Sequence, residues 1–340
     1  MSDQAEVYLR QAQAARAAQR FDEAAQAYSA LLAIRPNLPD TWFNLALMLR
    51  GADRPIEALE AYEKALGRQI SGPEEVHVNR AVIYSDDLAR PLEARAELEK
   101  ALQIRPDYLP ALLNLGNLHE DQGERDDALA VYAQALSVAR PEHRALPLAR
   151  LANATRFEKT DDPLISRLRE MITHPGLSAG DQAELGFALG RALDEVADYE
   201  AAFSAYEQAN AASRAATGAK YDRHAHEAFV AASISAFTAC ASSPSPGSKP
   251  GSSVRPPVFI LGMFRSGSTL VERILAAHTG VVAGGEMAHL PRLAAGIENY
   301  PVGAAAASDE TLLAWREAYL KGVSTAHGQG GLITDKRPDN

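Results

Sequence analysis

The residues Gly262-Met263-Phe264-Arg265-Ser266-Gly267-Ser268-Thr269 put two glycines, a guanidinium and three hydroxyls into eight positions. Glycine lets main-chain N–H groups crowd toward one point, and hydroxyls and a cation add donors there. Such a set binds an oxyanion. The spacing nearly spells the phosphate-loop pattern G-x-x-x-x-G-K-[ST]: both glycines and Thr269 fit, but Ser268 stands where the lysine belongs. A nucleoside-triphosphate loop uses that lysine on the β- and γ-phosphates, so ordinary ATP or GTP hydrolysis is disfavoured. A single phosphate bearing a second anionic group suits the cation at Arg265 better. Two further residues complete the reactive set. Glu286 follows Gly284-Gly285, and Lys336 follows Asp335.

The flanking elements can position these groups. Val258-Phe259-Ile260-Leu261 is an apolar, β-prone run that predicts a short buried strand. After the turn, Leu270, Ile274 and Leu275 recur at helical spacing, with Val271 beside them. Strand, glycine-bearing turn and helix is the context that aims a helix N-terminus at a bound anion. Val281-Val282-Ala283 predicts a second strand and Leu332-Ile333-Thr334 a third. Between them, Met287 to Ile297 looks helical, and Ser308 is placed to cap a helix through Ala326. Three strands over residues 257–340 leave sheet edges and apolar faces to be covered.

The stretch PPVFILGMFRSGSTLVERIL resembles the 5′-phosphosulfate loop of sulfotransferases that use 3′-phosphoadenosine 5′-phosphosulfate (PAPS). It is most similar to bacterial fusions of tetratricopeptide repeats with a sulfotransferase domain, and to tyrosylprotein sulfotransferases. The resemblance extends to Gly284-Gly285-Glu286 and to Asp335-Lys336-Arg337-Pro338-Asp339-Asn340. Phe264 departs from it, since relatives usually carry proline there. The resemblance implies PAPS as co-substrate without a metal. Arg265, Ser266, Gly267, Ser268 and Thr269 would hold its 5′-phosphosulfate. Glu286 would take the acceptor's proton, and Lys336 would stabilise charge on the bridging oxygen or the sulfuryl group, with Asp335 as an alternative partner for the lysine. Relatives continue well past this last motif, with the residues that grip the 3′-phosphate and adenine. The expectation is therefore the front part of a longer enzyme, truncated in its C-terminal domain, and whether this length is active by itself is open.

Two rival readings stay open on the residues themselves. One is a nucleotide hydrolase or kinase, with Asp335 as a magnesium ligand after an apolar strand. The other is a repeat scaffold carrying a catalytically silent module. His224-Ala225-His226 is rejected as a metal site, because residues two apart on a helix face away from each other.

The chain has 340 residues, 34 Lys plus Arg against 44 Asp plus Glu, and a formal net charge of −10. That balance argues against nucleic acid or an anionic membrane surface as partner. One cysteine, Cys240, excludes an intrachain disulfide. The N-terminus lacks the apolar core of a signal peptide, and no apolar run is long enough to span a bilayer, so the expectation is a cytoplasmic protein.

Residues 5–142 repeat with a period of about 34, the tetratricopeptide length. A small position reads Ala24, Ala58, Ala94, Ala128, and four residues on stand Tyr28, Tyr62, Leu98 and Tyr132. The small residue admits a neighbouring helix and the bulky one fills the gap between repeats. Pro36 and Pro106 stop their helices. The third repeat is two residues longer, since Ala94 lies 36 after Ala58 rather than 34. Residues 143–182 break the pattern, although 164–172 looks like an amphipathic helix and Ser178 suits a cap. Gly190, Ala202, Tyr206 and Ala209 restore it as a fifth unit, and 221–240 reads as a capping helix. Asn44, Asn79 and Asn114 recur 35 residues apart on the helices expected to line the concave face. Their amides suit an extended peptide, and so a protein partner or acceptor, or else they bond locally within the array.

The predicted architecture is an α-helical tetratricopeptide solenoid followed by an incomplete α/β phosphate-loop domain with a parallel sheet, sulfotransferase-like. Its expected boundaries are 1–142 for four repeats, 143–240 for the irregular segment, fifth repeat and cap, 241–255 for a linker, and 256–340 for the α/β part. Eleven of the fifteen linker residues are Ser, Pro or Gly.

Overall fold

The computed structural model describes residues 2–218, 220–240, 256–327 and 331–337. The predicted linker 241–255 and the motif residues Pro338, Asp339 and Asn340 lie outside the described residues. The chain divides into two compact units, Met1–Ala219 and Lys220–Asn340.

The first unit is a run of paired helices: α1 (Ser2–Ala17) with α2 (Phe21–Ile34), α3 (Pro39–Gly51) with α4 (Pro55–Leu66), α5 (Pro73–Val82) with α6 (Pro91–Ile104), and α7 (Leu109–Gln122) with α8 (Arg125–Val138). Then come α9 (Ala145–Ala154), α10 (Pro163–Ile172), α11 (Ala179–Glu195) and α12 (Tyr199–Thr217). Proline opens α3, α4, α5 and α6, where its missing N–H costs nothing and its fixed φ suits the first turn. Helices α2 and α6 end two residues before Pro36 and Pro106, as expected. Ser178 caps α11 by accepting the Asp181 N–H at 3.1 Å.

Burial follows the repeat code. Ala24, Ala58, Ala94 and Ala128 are sealed, and so are Tyr28, Tyr62, Leu98 and Tyr132. The demand for a small residue is sharpest at Gly116, where a Cβ would lie 2.2 Å from the Tyr132 ring. Gly190 stands the same way against Tyr206, at 2.6 Å, so the unit read as a fifth repeat packs by the same rule. The two extra residues of the third repeat have a local cause. After α5 the chain runs through a π-helical turn, Ile83–Asp87, and then Ala89 takes φ +51° before α6 begins. A π turn holds an extra residue in the helical path.

Residues 143–182 contain one helix the periodicity did not reveal, α9. Its Leu148, Ala149 and Ala152 pack with Ile165 and Leu168 of α10 and with Leu185, Leu189 and Leu193 of α11. Between α5 and α6, the buried Glu97 ties the layers together, accepting from Arg80 at 2.9 Å and from Lys100 at 2.9 Å, with His77 at 2.7 Å. Burial alone would push the Glu97 carboxyl up. Those three partners outweigh it and hold the group down at about 2.

In the second unit, α13 (Arg223–Cys240) comes first. It was expected to cap the repeats, but it groups with this unit, its Phe229 and Phe237 rings lying 6.2 and 6.4 Å from Tyr300. Then follow β1 (Val258–Phe259), α14 (Ser268–Ala276), β2 (Val281–Val282), α15 (His289–Ala295), α16 (Val302–Ala305), α17 (Asp309–His327) and β3 (Leu332–Asp335). Ser308 caps α17, its Oγ accepting the Thr311 N–H at 3.2 Å. The strands run in the order β1-β3-β2, both pairings parallel. Val258 stands opposite Thr334, and Val282 opposite Ile333. Ile333 packs with Met287, Tyr319, Leu320 and Val323, so α17 covers one face of β3. Thr334, pointing to the other face, meets Glu272 of α14.

Candidate active site

Parallel strands present their C-terminal ends along one edge, and that edge is where α/β sheets bind ligands. Here β1 leads into the glycine turn, β2 into Gly284-Gly285-Glu286, and β3 into Lys336. Two hydrogen bonds register these exits. Ile260 N–H donates to Asp335 O at 2.9 Å, and Lys336 N–H donates to Gly285 O at 2.9 Å.

The turn after β1 is open. Arg265 takes φ +64° and Gly267 φ +94°, a bend that turns the chain sharply into α14. The turn closes on itself through Ser266 N–H donating to Met263 O at 3.1 Å. The N-cap residue of α14, Gly267, has no side chain to cap the helix, and the first main-chain bond is Val271 N–H to Gly267 O, so the N–H groups of Ser268, Thr269 and Leu270 are not taken up by the helix. Arg265, Ser266, Gly267 and Thr269 are exposed and Ser268 half-buried. Unbonded N–H groups at a helix N-terminus direct positive partial charge into the space before them, an arrangement chemically suited to an anion.

Glu286 and Lys336 form an ion pair, Nζ donating to Oε1 at 2.6 Å. Lys336 is nearly sealed, its side chain 7 % exposed, whereas that of Glu286 is 56 % exposed. Lys336 thus pairs with Glu286 across the strand ends. Asp335 points to the opposite face, fully buried, where Tyr319 donates to its Oδ2 at 2.8 Å. Burial first, and then that bond, push the Tyr319 hydroxyl far above the ordinary phenol range, so it remains a donor. Phe259 stacks on the same ring at 5.9 Å. An Asp335 enclosed in this way is poorly placed to meet a magnesium ion at the strand ends.

The structure adds residues that sequence reasoning passed over. Glu272 is buried on α14, and its Oε1 accepts from Gly285 N–H at 3.0 Å and from Thr334 Oγ1 at 2.7 Å. Gly284 approaches β3 so closely that a Cβ would sit 2.1 Å from Thr334 O, and Gly285 takes φ +68°. The glycine pair therefore has a steric reason as well as a motif. The apolar spacing on α14 would have buried Leu270 and Ile274. Both are exposed, and Glu272 is the residue turned inward.

The amides of Asn44, Asn79 and Asn114 share one arrangement. Each donates Nδ2 to the carbonyl four residues back, Asp40, Glu75 and Pro110, at 2.8, 2.9 and 2.8 Å. Asn44 also accepts from Arg16 at 2.7 Å, a bond between repeats. Local bonding of this kind was the alternative to a peptide ladder. Elsewhere in the repeats His119, Glu124 and Asp127 converge, but Arg95 already supplies Glu124 with a cation.

Residues 256–325 match the sequence model of the sulfotransferase family, and residues 6–37 and 88–151 match tetratricopeptide repeats. The chain thus joins a stretch similar to tetratricopeptide repeats to one similar to the sulfotransferase family. An uncharacterized Aquifex aeolicus protein is 26% identical over 261 residues, covering 73% of this chain and 33% of its own length. Human protein O-mannosyl-transferase TMTC3 is 29% identical over 120 residues, 35% of this chain and 13% of that protein. The chain therefore spans a minor part of both relatives. Among solved structures, Pseudomonas aeruginosa PilF aligns at 20% identity over 62% of this chain and 98% of its own, with TM-score 0.44. The APC/C hetero-tetramer Cut9–Hcn1 aligns at 19% identity over 62% and 40%, with TM-score 0.47. Among the described residues no helix is long and apolar enough to cross a membrane.

Proposed function

We propose that the chain carries the donor-binding part of a PAPS-dependent sulfotransferase, with the repeats holding a protein acceptor or partner. The observation that carries this reading is the shared sheet edge. An uncapped helix N-terminus behind a glycine turn stands on the strand edge that also bears the Glu286–Lys336 pair.

The residues present suit the co-substrate. Ser266, Gly267, Ser268 and Thr269 offer N–H and hydroxyl donors to a 5′-phosphosulfate, and Arg265 supplies positive charge beside them. In the transfer, the S–O bond to the donor's phosphate breaks and a bond from the acceptor oxygen to sulfur forms. The acceptor's proton goes to Glu286, and 3′-phosphoadenosine 5′-phosphate leaves. Lys336 supports the charge that grows on the departing side, and its pairing keeps Glu286 at that spot. The repeats' part rests on the matched family, whose paired helices build extended binding surfaces.

Thermal stabilisation separates this reading from its rival. Melting is followed with PAPS in the absence of metal, and with ATP plus magnesium. Stabilisation by PAPS alone supports a sulfotransferase. Stabilisation only by magnesium and ATP would replace it with a nucleotide hydrolase or kinase.

A further inference from the structure

We infer that Glu272 is a positioning residue for the Glu286–Lys336 pair. The inference rests on the transferase reading for its consequence in rate, but its geometry stands apart from that reading.

Glu272 is 4 % exposed and holds two neutral donors on one oxygen, Gly285 N–H and the Thr334 hydroxyl. Gly285 precedes Glu286, and Thr334 lies two residues before Lys336. The same Gly285 gives its carbonyl to Lys336 N–H. Both polar groups of Gly285 are thereby clamped, one by Glu272 and the other by the residue whose ammonium meets Glu286. Thr334 in turn accepts from Gly284 N–H at 3.2 Å. One buried carboxylate on the helix behind the anion loop thus fixes the main chain of both strand exits. Burying a carboxyl group is costly unless its oxygens are hydrogen-bonded, and a leucine would fill that volume without the cost. Two directional bonds to the chain beside the reactive pair explain why a carboxylate stands there. Positioning of this kind is worth much in rate, because a displacement of about 1 Å can cost about 100-fold.

The test is a double-mutant cycle between Glu286 and Lys336, using E286Q and K336M on the full chain. It reads urea unfolding in wild-type, E272Q and E272A backgrounds. We expect coupling between the two positions in wild-type protein, its loss in E272A, and its recovery in large part in E272Q, which keeps an acceptor oxygen. Coupling that persists in E272A overturns the inference. If E272A does not fold, T334V serves in its place, removing one of the two donors, and coupling unchanged in T334V likewise overturns it. Turnover of PAPS is measured in parallel. We expect kcat to fall about 100-fold in E272A with KM for PAPS nearly unchanged. A rise in KM with kcat kept overturns the role assigned to Glu272. Absence of PAPS binding by wild-type protein would count against the transferase reading, and where PAPS binds without turnover the coupling cycle alone decides Glu272.

Discussion

Lys336 donates to Glu286 over 2.6 Å although fifty residues separate them in sequence, and the lysine is sealed while the carboxylate faces outward. Parallel pairing of β2 with β3 brings them together. A pair with one sealed and one open member holds its charges at a fixed point on the sheet edge and leaves the carboxylate reachable.

E286Q should lower sulfate transfer by about 10²–10⁴-fold, the usual worth of a placed base, while PAPS binding survives. Parallel measurement of turnover and binding checks this. Loss of both together would make Glu286 a structural partner of Lys336.

Glu97 gives the repeats a definite acid response. Its carboxyl is held at about 2 in the folded protein, against an ordinary 4.5. A lowered folded value means stability that is present above 4.5 and drains away as pH falls toward 2. E97Q should therefore be less stable than wild type at neutral pH, and the gap should narrow through that acidic window. Melting temperatures of the two proteins across the range test it, and a constant gap would contradict it.

Gly116→Ala places a methyl group into the Tyr132 ring, whose edge lies 2.2 Å from the Cβ position. The expected cost is about 1–3 kcal/mol, the range for overpacked cores. Chemical denaturation measures it, and the double variant G116A/Y132L should recover part of the loss.

The asparagine row makes a separable prediction. Each amide spends one N–H on its own helix, so N44A/N114A should shift melting only slightly. If the row also holds a peptide, the same variant should weaken capture of the protein partner. Unchanged capture would leave the amides with local bonds.

The repeat array was legible because its packing rule is periodic. Ala24 through Ala128, with the bulky residue four on, read as plainly in sequence as in the core. The excess of two residues in the third repeat was visible too, but not that a π turn at Ile83–Asp87 absorbs it. Helix α9 escaped because ALPLARLANA carries apolar residues on every side, as a helix packed by α8, α10 and α11 must. In the α/β unit the glycine turn, Glu286 and Lys336 stood out by motif, and the parallel sheet gathers the segments that carry them onto one edge. Glu272 and Tyr319 did not stand out. A glutamate on a short helix reads as solvent-facing by default, and its partners lie 13 and 62 residues away. The helical spacing of Leu270 and Ile274 pointed to the wrong face of α14, because tertiary pairing of Glu272 with Thr334 overrides it.

If the bend at Arg265–Thr269 grips the phosphosulfate of PAPS, calorimetric titration of the chain in the absence of metal should detect it. We expect saturable binding of PAPS by the chain, weakened by an order of magnitude or more, about 1.4 kcal/mol per tenfold, in Arg265→Ala. Binding that is absent, or equal in the two proteins, would contradict it.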